Sequence, residues 1–117
     1  MLFICYPNCS TCKKAQKWLD DHHFDYAFRD IKVDNPQVDE LKKWYKLSEL
    51  ELKRFFNTSG DVYRSLNLKE KLASMSETEQ LALLATNGML VKRPILVLDD
   101  KVLVGFKEKE WVDKLKV

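Results

Sequence analysis

The chain has 117 residues, 45% of them hydrophobic and 32% charged. That length suits one domain with a core able to form without structural disulfides, and the composition excludes a disordered chain. The 20 basic and 18 acidic residues leave a net charge of +2 and are interleaved along the sequence, so nothing argues for nucleic-acid binding.

Leu2 to Tyr6 is apolar, is rich in strand-forming residues and ends at Pro7-Asn8, which predicts a short buried strand. A helix follows. Ala15, Trp18 and Leu19 mark its apolar stripe, Lys13, Lys14, Lys17 and Asp20 its wet face, and Asn8 or Ser10 its cap. His22-His23 marks its end, where imidazoles sit in solvent and suit the helix dipole. Asp25 to Ile31 alternates as a second strand. This opening β-α-β unit implies a right-handed crossover between two parallel strands.

The middle changes period. After Asn35-Pro36, the spacing of Val38, Leu41, Trp44 and Tyr45 predicts an amphipathic helix, and Leu50, Leu52, Phe55 and Phe56 predict another. Asn57-Thr58-Ser59-Gly60-Asp61 reads as a loop, and Tyr63 to Leu72 as one or two short helices. Ser76 with Glu79 forms a capping box before Leu81, Leu83 and Leu84, and Asn87-Gly88 ends that run. Ile95 to Leu98, the turn Asp99-Asp100 and Val102 to Val104 make a hairpin. Gly105-Phe106 leads into a last helix carrying Trp111, Val112 and Leu115. The aromatic residues at helical spacing read as core.

No apolar run reaches transmembrane length, and Met1 to Pro7 lacks the basic n-region of a signal peptide. The expected location is the cytoplasm, where three cysteines do not make a scaffold and a close pair reads as catalytic or metal-binding.

Cys9 and Cys12 stand two residues apart, between a strand and a helix start. Free N–H groups and the helix dipole stabilise an anion there, and the thiolate is the reactive form of cysteine. Cys9, at the tip, is the expected nucleophile. Cys12, in the first turn, is the expected resolving thiol, forming a Cys9–Cys12 disulfide. A zinc site is the rival reading. One pair supplies two ligands and no second pair has metal spacing, so no metal and no cofactor are expected. Cys5 reads as an inert strand cysteine. Arg93-Pro94 precedes the third strand; proline suits a strand start and is the one residue before which a cis bond is cheap.

The sequence resembles the arsenate reductase (ArsC)/Spx family, and most of all its YusI-type branch in Gram-positive bacteria. The resemblance rests on Tyr-Pro-Asn-Cys-Ser-Thr-Cys-Lys-Lys-Ala at 6–15, Asn57 to Gly60 with Tyr63 to Leu68, Gly88 to Ile95, and Val104-Gly105-Phe106. It implies a thioredoxin-like α/β fold with a four-stranded mixed sheet. Residues 1–117 would form one domain, with 2–33 and 91–117 as the thioredoxin-like core and about 34–90 as a helical insert. It implies that Pro94 is cis and faces the cysteine.

The resemblance also implies the site. Cys9 takes the place of the cysteine that attacks arsenate, and Arg93 that of one of three arginines that hold the oxyanion. Asn8, Ser10, Thr11 and Pro94 join Arg93 as the substrate-binding set. The other two arginine positions fall near Asn57 and on Gly105, neither of which carries a guanidinium; Arg54 and Arg64 are the candidate stand-ins. The implied activity is thiol–disulfide oxidoreduction, with arsenate as one substrate, by a monomer away from the membrane. The reductant would be thioredoxin, glutaredoxin or a low-molecular-weight thiol. Spx-type regulators share the CxxC and Arg-Pro features and bind the C-terminal domain of the RNA polymerase α subunit, so a redox-sensing regulator is the alternative. In those regulators the insert carries the contact. Leu47 to Leu52 is acidic and leucine-rich where a glycine-containing turn is expected.

Overall fold

A computed structural model describes all 117 residues. Four strands form one mixed sheet in the order β2-β1-β3-β4. They are β1 (Leu2–Cys5), β2 (Ala27–Asp30), β3 (Ile95–Val97) and β4 (Val102–Val104). β1 runs parallel to β2 and antiparallel to β3, and β3 and β4 form the expected hairpin. The helices are α1 (Ser10–Asp21), α2 (Val38–Ser48), α3 (Asp61–Ser65), α4 (Leu68–Lys71), α5 (Glu77–Leu84) and α6 (Glu108–Leu115). This is the mixed α/β architecture read from the sequence.

Strand side chains alternate between faces, and the sheet uses both. Phe3, Cys5, Leu96 and Leu103 pack on one side with Cys12, Ala15, Trp18 and Leu19 of α1 and Trp111 of α6. Ile4, Ile95, Val102 and Val104 pack on the other, against Leu41 and Trp44 of α2, Leu81 and Leu84 of α5 and the aromatic residues of the intervening turns. The helices between β2 and β3 therefore cover one face, and α1 and α6 the other. No helix is long and apolar enough to cross a membrane.

Local chemistry sets several boundaries. The capping box at Ser76 forms in both directions, with the Glu79 N–H donating to Ser76 Oγ at 3.1 Å and the Ser76 N–H donating to Glu79 Oε1 at 3.0 Å. A second box, unread in the sequence, opens α2 from Gln37 and Glu40. The run from Leu50 to Phe56 gives only a single 3-10 turn, Leu52–Phe55, because the next residue, Phe56, turns extended to pair with Val91. The cap of α1 is Cys9 rather than Asn8 or Ser10, because the extended residue that precedes the helix is Cys9 itself.

Two contacts tie the helical layer to the end of β2. Gly88 lies so close to Ile31 that an added Cβ would collide with the Ile31 carbonyl oxygen. Arg29, with its side chain 12% exposed, is gripped by both carboxylate oxygens of Glu40 at 2.6 and 2.9 Å and lies over the Trp44 ring. The Arg29 hydrogen bond, opposed by partial burial, holds the Glu40 carboxyl below the usual carboxylate range.

Two outcomes follow. Gly88→Ala should cost about 2 kcal/mol, as forced overpacking does, and lower the urea midpoint without changing the slope. Arg29→Met should also cost about 2 kcal/mol at neutral pH. Glu40 has a lowered folded pKa, so its contribution is full above the unfolded value of roughly 4.3 and disappears as pH falls through the folded value. The stability gap between wild type and Arg29→Met should therefore narrow below about pH 4 in urea titrations.

Candidate active site

Cys9 occupies the extended position just before α1, with its side chain half-buried and its thiol free. Burial is the largest single influence on that thiol and disfavours the anion. It is outweighed by the Cys12 backbone N–H, hydrogen bonding from Arg93, the Thr11 backbone N–H and the Arg93 charge, which together lower the Cys9 pKa. The first-turn amides thus do for sulfur what they do for any anion at a helix start.

Arg93 comes from the segment before β3, joined to Pro94 by a cis peptide bond as the resemblance implied. Its guanidinium carbon stands 5.4 Å from the Tyr6 ring centroid. Its Nε and Nη1 are buried without a hydrogen-bond partner. Arg93 and Cys9 open into a cleft of about 450 Å³ lined also by Thr11, Asn57, Gly60, Met89 and Lys92.

The insert reaches this cleft through a short strand-like junction. The Asn57 N–H donates to the Leu90 carbonyl at 2.7 Å and the Lys92 N–H to the Phe55 carbonyl at 2.8 Å. Asn57 Nδ2 then lies 3.5 Å from the Met89 carbonyl. Neither Arg54 nor Arg64 supplies the missing guanidinium. Arg54 lines a separate cleft with Lys46, Lys101 and Lys107, and Arg64 binds the Asp61 carboxylate at 2.6 Å. That ion pair offsets the charge that Asp61 brings to the edge of the Cys9 cleft.

Of the expected substrate-binding residues, Thr11 and Arg93 line the cleft. Asn8 and Ser10 are exposed outside it, and Asn8 donates instead to the Tyr6 hydroxyl at 3.4 Å. Pro94 is buried, and its carbonyl accepts from the Gly105 N–H at 2.8 Å. Asn57, Met89 and Lys92 were not picked out by spacing, because they are brought in from the insert and its junction.

The disulfide in the structure is not the expected one. Cys12 is joined to Cys5, and Cys9 stands apart. The physical reason is side-chain direction. Cys12 lies on the inward stripe of α1 with Ala15 and Leu19, and Cys5 lies on the face of β1 that this stripe covers. Cys5 is a buried residue of β1, as expected, and it is the partner of Cys12. No three His, Cys, Asp or Glu residues gather as a metal site.

Residues 5–113 match the model of the ArsC family. The chain belongs to the ArsC family. It is 53% identical over 111 residues to the uncharacterized protein YusI of Bacillus subtilis, covering 95% of this chain and 94% of that one. It is 30% identical to the global transcriptional regulator Spx of Staphylococcus epidermidis over 89% of this chain and 78% of the regulator. A crystal structure from Streptococcus mutans, described as a possible arsenate reductase, shares 46% identity and a TM-score of 0.87, with 96% of each chain covered. The thioredoxin-like ArsC fold expected from the sequence is therefore the fold of this family member.

Alkylation of Cys9 by iodoacetamide should accelerate as pH rises through a midpoint below the ordinary cysteine value of about 8.5. Arg93→Met should move that midpoint upward, because it removes both a hydrogen bond and a positive charge. A midpoint unchanged by this substitution, read from rates between pH 5 and 10, would refute the assignment of Arg93 as thiolate partner.

Proposed function

We propose that this ArsC-family chain is a thiol–disulfide oxidoreductase, with Cys9 as nucleophile and Cys12 as resolving thiol. The observation that carries the reading is the free Cys9 thiol at the head of α1, in an open cleft that Arg93 also lines.

In the reduced protein, the Cys9 thiolate attacks a sulfur of the substrate disulfide and expels one thiolate. Cys12 then attacks Cys9 Sγ and releases the second. Arg93 steadies the attacking sulfur and any anionic group that enters with the substrate. Arsenate is a candidate of this kind, since guanidinium nitrogens suit oxyanions. The reaction would be completed by thioredoxin, glutaredoxin or a low-molecular-weight thiol as reductant. A single arginine in the cleft, in place of a clamp of three, favours disulfides over arsenate as the better substrates.

A second reading is supported by the likeness to Spx. Glu49, which closes α2, has φ 59°, a left-handed conformation that favours the glycine expected from the regulators. A redox-sensing regulator that docks on the RNA polymerase α C-terminal domain is therefore the alternative. Capture of that domain by the protein in either redox state would favour it; no capture in both states would remove it.

The enzymatic reading is tested by thiol-coupled reduction of hydroxyethyl disulfide and of arsenate. Cys9→Ser should abolish both activities. Arg93→Met should lower kcat/KM by about tenfold or more, the scale of losing one charged hydrogen-bond donor from a reaction site. Full turnover by Cys9→Ser would overturn the proposal. Turnover of the disulfide alone would limit the function to disulfide exchange.

A further inference from the structure

We infer that Cys5 is a third redox cysteine, which takes the disulfide from the Cys9–Cys12 pair and stores it as a buried Cys5–Cys12 bond. This inference rests on the proposed role of Cys9 as nucleophile, and it adds a residue and a step to that site.

Three observations support it. Cys5 and Cys12 are paired, with their Cα atoms 5.8 Å apart. Both are 1% exposed, so an external oxidant or a protein reductant has no direct approach to either sulfur. Cys9 begins the same helix, is half-exposed, and is the one free thiol. Cys12 therefore stands between an outer sulfur that meets substrate and an inner sulfur that does not. The Tyr6 N–H, 3.4 Å from Cys12 Sγ, supplies a donor to the middle sulfur of the relay.

The chemistry balances as three thiol–disulfide exchanges with a substrate disulfide as oxidant. The Cys9 thiolate attacks one substrate sulfur, forming a mixed disulfide and expelling the other half as a thiolate. The Cys12 thiolate attacks Cys9 Sγ, forming Cys9–Cys12 and expelling the second half. The Cys5 thiolate then attacks Cys12 Sγ, forming Cys5–Cys12 and releasing Cys9 as a thiolate. The Cys5 and Cys12 thiols lose two electrons and two protons in total, and the substrate gains both to become two thiols. The last exchange is helped by its leaving group, because a thiolate stabilised by helix amides and Arg93 departs readily.

The relay has a distinct consequence. After one turn the protein is oxidised, yet Cys9 is again free to react. A second oxidant molecule would then leave an adduct on Cys9, since Cys12 is already engaged. Reduction of the buried bond follows the reverse route, by attack of the Cys9 thiolate on Cys12 Sγ.

The test uses the full chain, reduced and then treated with one equivalent of oxidised glutathione. Free thiols are blocked with N-ethylmaleimide, disulfides are reduced, and the newly exposed thiols are labelled with iodoacetamide. The tryptic peptide ending at Lys13 holds all three cysteines, and its fragment ions place each label. The expected pattern is maleimide on Cys9 and acetamide on Cys5 and Cys12. Cys9→Ser should slow formation of the Cys5–Cys12 bond by about tenfold or more, because the entry thiolate is gone. Maleimide on Cys5 with acetamide on Cys9 and Cys12 would overturn the relay and leave the two-cysteine enzyme intact. Formation of Cys5–Cys12 at an unchanged rate in Cys9→Ser would overturn the route through Cys9. No internal disulfide in wild type would overturn both the relay and the enzymatic reading beneath it.

Discussion

Phe56 pairs with Val91, and two backbone hydrogen bonds flank that pairing, from Asn57 to Leu90 and from Lys92 to Phe55. This junction is the constraint on which the site depends. The chain leaves the sheet after β2 and returns before β3, and the junction fixes that return beside the segment that carries Arg93. The junction sets Asn57 beside Met89 and delivers the chain to Arg93 in a defined direction. Phe55 and Phe56, both essentially fully buried, anchor it in the larger core cluster. The cleft is therefore built from two layers that are bonded through backbone, which is less sensitive to side-chain substitution than a contact between surfaces.

The electrostatics of the cleft follow from the same arrangement. Arg93 is held partly buried between Tyr6 and Cys9, with no carboxylate paired to it. Burying an uncompensated cation is costly, and such a group favours whatever anion comes within reach. The Cys9 thiolate is the anion that the chain itself provides. Asp61, the acidic residue on the cleft wall, is already engaged by Arg64. The positive character at the sulfur thus survives in a protein whose overall charge is nearly balanced.

Much of this was legible in the sequence, and the misses have a common cause. The switch from strand to helical period around Cys9 and Cys12 located the cysteine segment at the head of α1, and the proline after Arg93 located the strand start that faces the same cleft. The capping box at Ser76 and the hairpin around Asp99-Asp100 were local patterns and formed as local patterns do. The Cys5–Cys12 bond was not legible because it depends on two phases at once: which face of β1 carries Cys5, and which stripe of α1 carries Cys12. Each phase can be read from the sequence, but their meeting requires the helix to lie across that face. Met89 and Lys92 were missed for a similar reason, since their approach to Cys9 is made by the junction and not by spacing. The expectation that Arg54 or Arg64 completes a clamp failed because Arg54 lines a separate cleft and Arg64 is engaged by Asp61.

The two core clusters also divide the tryptophans. Trp18 and Trp111 lie with Cys5 and Cys12, their rings meeting edge to face with centroids 5.6 Å apart, whereas Trp44 belongs to the cluster on the opposite side of the sheet. Sulfur is polarizable and interacts with aromatic rings that share its core cluster. The molecule therefore holds two indoles in the compartment where its inner sulfurs meet and one in a compartment without cysteine. Its near-ultraviolet optical spectrum carries both a signal sensitive to those sulfurs and a built-in reference against which to read it.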